Sequence, residues 1–282
     1  MASKSPKSIH RLWPPIVPHE HGSWGTLGGL ILACLLVLGV NTNVLLTLIT
    51  GLALFLAREP LSLFMRMRFG RQPQTVPWSI LFWAATYLGI GGLTAALLVF
   101  VIGLEEMVWL GLAGMLVLTI HLFIAPKKRW VMSAWGEWIG VLGISLIIPA
   151  LYLAVRETLD NQALGLWLLG LAQVTGPIFY IRLKVRIQAR SPETPSVGQR
   201  LRAGWVPLLF SAISLGGAYF LGRWQWTPSS AWLALMPSAI KHIWGTWRWT
   251  PRGQLDIRRL GWIEVANILL FAIILGVIYR FS

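Results

Sequence analysis

Two histidines and a glutamate lie together near the start of the chain, as His19, Glu20 and His21. Imidazole and carboxylate groups at the beginning of a helix suit proton relay, anion binding or metal ligation. Metal ligation is the weaker interpretation, because residues two apart point to different faces of a helix and the only cysteine, Cys34, lies within an apolar run. A catalytic role for His19 and His21 and a plain role in capping a helix at the membrane interface both stay open.

Three further carboxylates lie at the polar ends of apolar segments. They are Glu137, Glu264 and Glu59, the last of which is adjacent to Arg58. Charged groups near hydrocarbon are costly unless they are paired or face a polar cavity. Arg58 and Glu59 are adjacent and do not face each other on a helix, so each needs a partner elsewhere. Buried ion pairs with nearby arginines and carboxylates poised for acid–base chemistry are both open, and the second makes Glu137 and Glu264 candidate catalytic residues.

The strongest group of cations follows two apolar segments that contain Pro60 and Pro177. Arginine binds oxyanions through paired hydrogen bonds, so guanidinium groups that converge from two helix ends suit a phosphate or a carboxylate. A proline disrupts backbone hydrogen bonding, which at membrane depth is tolerated beside a cavity or packed protein. The alternative is retention of positive charge in the cytoplasm, with contact to membrane lipid. The candidate substrate-binding residues are Arg58, Glu59, Arg66, Arg68, Arg182, Lys184 and Arg186.

The elements that position these residues are apolar helices. The chain of 282 residues is 56% hydrophobic and 12% charged, and long runs of it carry no Asp, Glu, Lys or Arg. About 20 apolar residues span a membrane as a helix. The sequence therefore predicts an all-α, polytopic membrane bundle of nine spans, at roughly 24–40, 44–65, 78–102, 107–125, 133–155, 163–181, 204–221, 230–247 and 260–280. The eighth is interrupted by Pro237, Lys241 and Gly245.

The basic residues predict the orientation of this bundle. With nine spans, 21 of the 24 Lys and Arg residues fall on one side, and only Arg156, Arg223 and Arg280 fall on the other. Basic loop residues are retained in the cytoplasm, so we expect a cytoplasmic tail at 1–18, one membrane domain at 19–282 and an outside C-terminus in a cell inner or plasma membrane. The formal charge of +14 then reflects topology and lipid contact, not nucleic-acid binding.

The order of several short motifs resembles the YwiC-like family of uncharacterised bacterial membrane proteins. The motifs are HEHGSWG at 19–25, FLAREPL at 55–61, YIRLK at 180–184 and GWIE at 261–264. The resemblance runs from about residue 18 to residue 280. It implies a polytopic membrane fold and no particular activity.

The chain is more distantly similar to the UbiA superfamily of intramembrane prenyltransferases, in its nine spans and in polar motifs at the inner ends of the second and sixth. In that superfamily these ends carry Asp-rich motifs that bind a prenyl diphosphate through Mg²⁺. Here the second span offers Glu59 among arginines and the sixth offers no acid before Glu193. Two divalent ions need several carboxylate oxygens, so Mg²⁺-dependent prenyl transfer is disfavoured and no metal site is predicted.

Three functions remain open at this stage. The first is a UbiA-like enzyme that holds an isoprenoid or another anionic small molecule through arginines and uses His19, His21, Glu137 or Glu264 as acid and base. The second is a small-anion transporter, and the third is a non-catalytic accessory or assembly protein. The sequence identifies no cofactor, reaction, partner complex or oligomeric state.

Overall fold

The computed structural model describes residues 14–18, 20–70, 73–131, 133–188, 195–250 and 255–282. These residues form helices and turns, with no strand among them. The α-helices of the described residues are α1 His21–Leu38, α2 Thr42–Phe69, α3 Trp78–Ala96, α4 Met107–Ile124, α5 Lys128–Val131, α6 Ala134–Ser145, α7 Ile147–Arg156, α8 Asn161–Arg182, α9 Val197–Arg223, α10 Met236–Trp247 and α11 Ile257–Arg280. Helices α3 and α8 continue as π-helices over Leu97–Val101 and Leu183–Ile187, and a 3₁₀-helix at Ala231–Leu235 precedes α10.

Seven helices of the described residues are long and apolar enough to cross a membrane. They are α2, α3 with its π-helix, α4, the α6–α7 pair, α8 with its π-helix, α9 and α11. They coincide with the second to seventh and the ninth predicted spans. The predicted fold class, a polytopic bundle of membrane helices, is therefore confirmed.

The first and eighth predicted spans lie on shorter helices. Helix α1 has 18 residues, and the eighth span is divided into the 3₁₀-helix at Ala231–Leu235 and the 12 residues of α10. Pro237 lies in the first turn of α10, where its missing N–H would have no partner within the helix, so a new helix begins there. The fifth span is likewise divided near Leu146, because Pro149 cannot donate a hydrogen bond to the carbonyl of Ser145.

The helices alternate in direction, so their ends gather into two groups. The basic end holds the starts of α1, α3, α6, α9 and α11 and the ends of α2, α4, α8 and α10, with ion pairs that join α1 to α2, α6 to α8 and α10 to α11. At the opposite end, Asn41 donates to the carbonyl of Ala154 over 3.0 Å, and the Leu159 N–H donates to Glu106 over 2.7 Å.

The apolar core lies between α1, α7, α8 and α11 and holds the fully buried side chains of Leu30, Leu151, Leu169 and Phe271. Helix α1 approaches α11 so closely that a Cβ atom at Gly29 would lie only 2.6 Å from Ile268. Residues 1–13 of the predicted tail lie outside the described residues, and the division into a tail and one membrane domain stays a prediction.

Candidate functional site

Arg58 is held in place at the basic end by contacts to α1 and to its own helix. Its Nη2 lies 3.2 Å from Glu20 Oε2, and its guanidinium lies 5.6 Å from the ring centre of Phe55, one turn earlier. Phe55 in turn packs edge-on against Trp24, whose indole N–H donates to the carbonyl of Pro18 over 2.9 Å. The described part of the HEHGSWG segment, residues 20–25, thus contacts the FLAREPL segment, and an aromatic pair supports the half-buried arginine.

Arg182 forms the best-aligned ion pair of this end. Its Nε and Nη2 donate to the two oxygens of Glu137 over 3.0 and 2.9 Å, a paired arrangement that fixes the plane of the guanidinium. Glu137 lies in the first turn of α6, which begins where the Ser133 hydroxyl accepts from the Gly136 N–H over 3.1 Å.

Two arginines from different helices therefore lie against the first two turns of α6. Arg182 of α8 pairs with Glu137, and Nη1 of Arg58, from α2, would lie 3.9 Å from a Cβ atom at Gly140. Residues three apart share one face of a helix, so the two guanidinium groups approach the same face of α6. We call this group the α6 arginine site, defined by Arg58, Arg182, Glu20 and Glu137.

The other predicted cations are placed differently. Arg66 lies 3.6 Å from Glu59 and is half exposed, and Arg68 and Arg186 are exposed at the ends of α2 and α8. Lys184 is buried, and its ammonium donates to Gln188, to the carbonyl of Arg248 and to Thr250. Three acceptors satisfy all three donors of an ammonium group. The carbonyl belongs to Arg248, the residue that caps α10, so Lys184 binds the C-terminus of that helix.

The predicted histidines are only partly described. His19 lies outside the described residues, and His21 begins α1 while its side chain is not described. A different histidine, His121, lies in the last turn of α4, at the basic end. Its Nδ1 is buried without a hydrogen-bond partner among the described residues.

Glu264 pairs with a lysine of the irregular eighth span. Lys241 of α10 donates to Glu264 Oε2 over 2.5 Å, and both side chains are largely buried, at 9% and 14% exposure. The same ammonium lies 5.0 Å from the ring centre of Tyr180 on α8. The pair therefore lies between three helices, with an aromatic face supporting the cation.

His242, the next residue of α10, is more completely buried, at 1% exposure. Its ring stacks on Tyr180 with 5.6 Å between ring centres, and its Nδ1 lies 2.7 Å from the Ser211 hydroxyl of α9. Ser211 also donates to the carbonyl of Pro207 over 2.8 Å, so its oxygen is left to accept a hydrogen from Nδ1. This assigns the hydrogen of the neutral ring to Nδ1 and leaves Nε2 as a bare acceptor, with no hydrogen-bond partner among the described residues.

A hydrogen-bonded group one turn beyond His242 was not predicted from the sequence. Ser238 donates to Gln173 over 2.8 Å and accepts from Asn267 over 2.7 Å, joining α8, α10 and α11. A small cavity beside this group, the size of about one water molecule, is lined by Ser211, Ser214 and His242 among others. The sequence did contain a signal for this hydrogen-bonded group, because Gln173 and Asn267 are polar amides within otherwise apolar spans.

Six of the predicted site residues thus lie in ion pairs, two of them with residues that were not predicted. The pairs are Arg58 with Glu20, Arg66 with Glu59, Arg182 with Glu137 and Lys241 with Glu264. Within the described residues, no three His, Cys, Asp or Glu side chains are grouped so that they could hold a metal ion.

These features define a class, a multi-pass helical membrane protein whose charged and polar groups concentrate at one end of the bundle. Residues 17–152 match the family described as YwiC-like protein. Over these residues the chain is similar to that family, as its HEHGSWG and FLAREPL motifs predicted; the motifs at 180–184 and 261–264 lie beyond the matched part. No curated protein and no solved structure matches the chain.

Proposed function

We propose that the protein binds an anionic, lipid-soluble ligand at the basic end of its bundle, and that this end faces the cytoplasm. The observation that carries the proposal is the approach of Arg58 and Arg182 to one face of α6 from two different helices. Guanidinium groups in such an arrangement suit the oxyanion of a phosphate, diphosphate or carboxylate, because each offers paired donors in one plane.

The ion pairs of the α6 arginine site support this proposal. Glu20 and Glu137 hold the guanidinium groups in defined positions before a ligand arrives, so less side-chain freedom is lost on binding. The exposed Arg66, Arg68 and Arg186 add positive potential at the same end, which attracts an anion from the membrane surface.

If the protein is an enzyme, we propose that it is UbiA-like. Its arginines would then stabilise the charge on the leaving group, a role that Mg²⁺ has in the prenyltransferases. The substrate would be an isoprenoid diphosphate or another lipid-soluble anion. Glu137 and Glu264, with His19 and His21, are its candidate acid and base groups. The alternative functions are a non-catalytic accessory protein, in which the ion pairs serve the fold alone, and a small-anion transporter.

Thermal unfolding of the purified protein in nanodiscs tests the proposal. A ligand that binds the folded state raises stability by about 2.7 kcal/mol at a hundred times its dissociation constant. We expect an isoprenoid diphosphate to raise the unfolding temperature in the presence and absence of Mg²⁺. Inorganic phosphate, tested in parallel, separates recognition of the oxyanion from recognition of the lipid chain.

Matched variants identify the site. We expect the shift to disappear in Arg58→Ala and Arg182→Ala and to persist in Arg223→Ala, which removes an exposed arginine at the opposite end. Arg182→Lys keeps the charge but loses the paired hydrogen bonds, so it should weaken binding. A shift that survives in both α6 arginine variants contradicts the site, and the absence of a shift with every anion favours the accessory function.

A further inference from the structure

The two ion pairs of the α6 arginine site are built differently. Arg182 and Glu137 share two hydrogen bonds of 3.0 and 2.9 Å, and their side chains are 19% and 39% exposed. Arg58 and Glu20 share one hydrogen bond of 3.2 Å, and their side chains are 15% and 72% exposed. The second pair therefore joins a largely enclosed arginine to a carboxylate on the surface.

The carboxylate of Glu20 is not needed to begin helix α1. Glu20 is the N-cap residue of that helix, but its side chain accepts no hydrogen bond from the first turn. The start of α1 is fixed by other groups, because the Ser23 hydroxyl donates to the carbonyl of Glu20 over 2.8 Å and the Trp24 indole donates to the carbonyl of Pro18 over 2.9 Å. The carboxylate can therefore leave Arg58 without disturbing the helix.

Arg58 also has contacts that hold it in place without Glu20. Its guanidinium lies 5.6 Å from the ring centre of Phe55, and its Nη1 lies against α6 at Gly140. A guanidinium has five N–H donors, and Glu20 accepts from one nitrogen alone, Nη2. A phosphate or diphosphate group offers more oxygens than this single contact uses, so it can replace the carboxylate with a gain in hydrogen bonds.

Displacement costs less at Glu20 than at Glu137. An ion pair with an exposed partner is weak, because water screens the charge and the side chain loses freedom when it is held in one geometry. Separation of Glu137 from Arg182 would break two aligned, charge-assisted hydrogen bonds. An anion that enters the α6 arginine site therefore replaces Glu20 and not Glu137.

We infer that Glu20 is a displaceable counter-ion of the ligand site. It occupies Arg58 in the ligand-free protein and gives way to the anionic group of the ligand, while the Arg182–Glu137 pair stays formed. Arg58 keeps a negative partner in both states. The inference rests on the proposed anion binding and adds to it the contact that must break, which makes Glu20 a residue that lowers the affinity of the site.

Isosteric changes of the two carboxylates test this inference. The full chain is placed in nanodiscs of phosphatidylcholine, and the dissociation constant of farnesyl diphosphate is obtained from the rise in unfolding temperature with ligand concentration. We expect Glu20→Gln to tighten binding by about two- to fivefold, which is the factor that corresponds to breaking an exposed ion pair. Glu137→Gln should not tighten binding, because it removes a pair that stays formed. The ligand-free Glu20→Gln protein should unfold at nearly the same temperature as the unmodified protein.

Asp256→Asn is the matched control for net charge. Asp256 is exposed at the basic end, and an asparagine there removes one negative charge while it keeps the N-cap of α11. Equal tightening in Asp256→Asn and Glu20→Gln would overturn the inference, because the effect would then follow the overall potential. Weaker binding in Glu20→Gln would also overturn it, since Glu20 would then hold Arg58 in place for the ligand.

The same titrations separate this inference from the proposed function. If the unmodified protein binds farnesyl diphosphate and Glu20→Gln binds it equally well, the displacement of Glu20 is wrong and the anion site stands. If neither the unmodified protein nor any variant binds it, the proposed function falls, and the displacement falls with it.

Discussion

The buried pair of Lys241 and Glu264 gives the sharpest prediction about stability. Both side chains are nearly enclosed, at 9% and 14% exposure, between α10, α11 and the ring of Tyr180. Removing one partner of a buried pair leaves the other charge without compensation and costs about 3–5 kcal/mol of unfolding free energy. Replacing both by apolar residues of similar size is often neutral. We therefore expect Lys241→Met and Glu264→Leu each to destabilise the protein by about 3–5 kcal/mol, and the double variant to be more stable than either single variant.

The assay is reversible unfolding in mixed detergent micelles, followed by helix content and tryptophan fluorescence. The Arg66–Glu59 pair is the matched control at the same end, because its atoms are 3.6 Å apart and Arg66 is 50% exposed. Removing either partner there should cost less than about 1 kcal/mol. A double variant of Lys241 and Glu264 that loses the sum of the single losses would refute the reasoning, since the two charges would then not compensate each other.

Two further predictions concern packing and topology. Gly245→Ala places a Cβ atom in the ring of Tyr180 and should destabilise the protein by about 1–3 kcal/mol. Gly216→Ala, in open surroundings on α9, should stabilise it by up to about 1 kcal/mol. Equal effects of the two changes in the same unfolding assay would contradict the close approach of Gly245 to Tyr180. In a cysteine-free background, a membrane-impermeant maleimide added to intact cells should label the Thr158→Cys variant and not the Thr75→Cys variant. Both positions are exposed but lie at opposite ends of the bundle. The reverse labelling pattern would invert the proposed orientation.

The membrane spans could be predicted because apolar runs and prolines act locally. Apolar runs located the seven helices that are long enough to cross a membrane, and Pro237 marked the irregular eighth span, where a 3₁₀-helix gives way to α10. The length of the individual helices could not be predicted as well, since a proline or a turn shortens a helix without reducing its hydrophobicity.

The pairing of charges could be predicted in kind but not in detail. Because a charged group within a membrane is costly, the sequence predicts that each has a partner of opposite charge. Glu137 and Glu264 do have such partners, in Arg182 and Lys241. Arg182 and Glu137 are 45 residues apart, however, and only the packing of α6 against α8 brings them together. Lys184 shows the opposite case, since a predicted ligand-binding cation uses its three donors within the protein.

The α6 arginine site and the buried group formed by Ser238, Gln173 and Asn267 differ in what they can admit. The α6 arginine site lies near the surface and has planar guanidinium donors, so it suits an anion with a lipid chain. The buried group is hydrogen-bonded within the protein, and the cavity beside it has room for about one water molecule. Passage of an anion across the bundle by this route would require a polar path beyond Ser238, where the buried side chains are apolar. Binding of an anion at the surface is therefore a more economical account of these residues than transport.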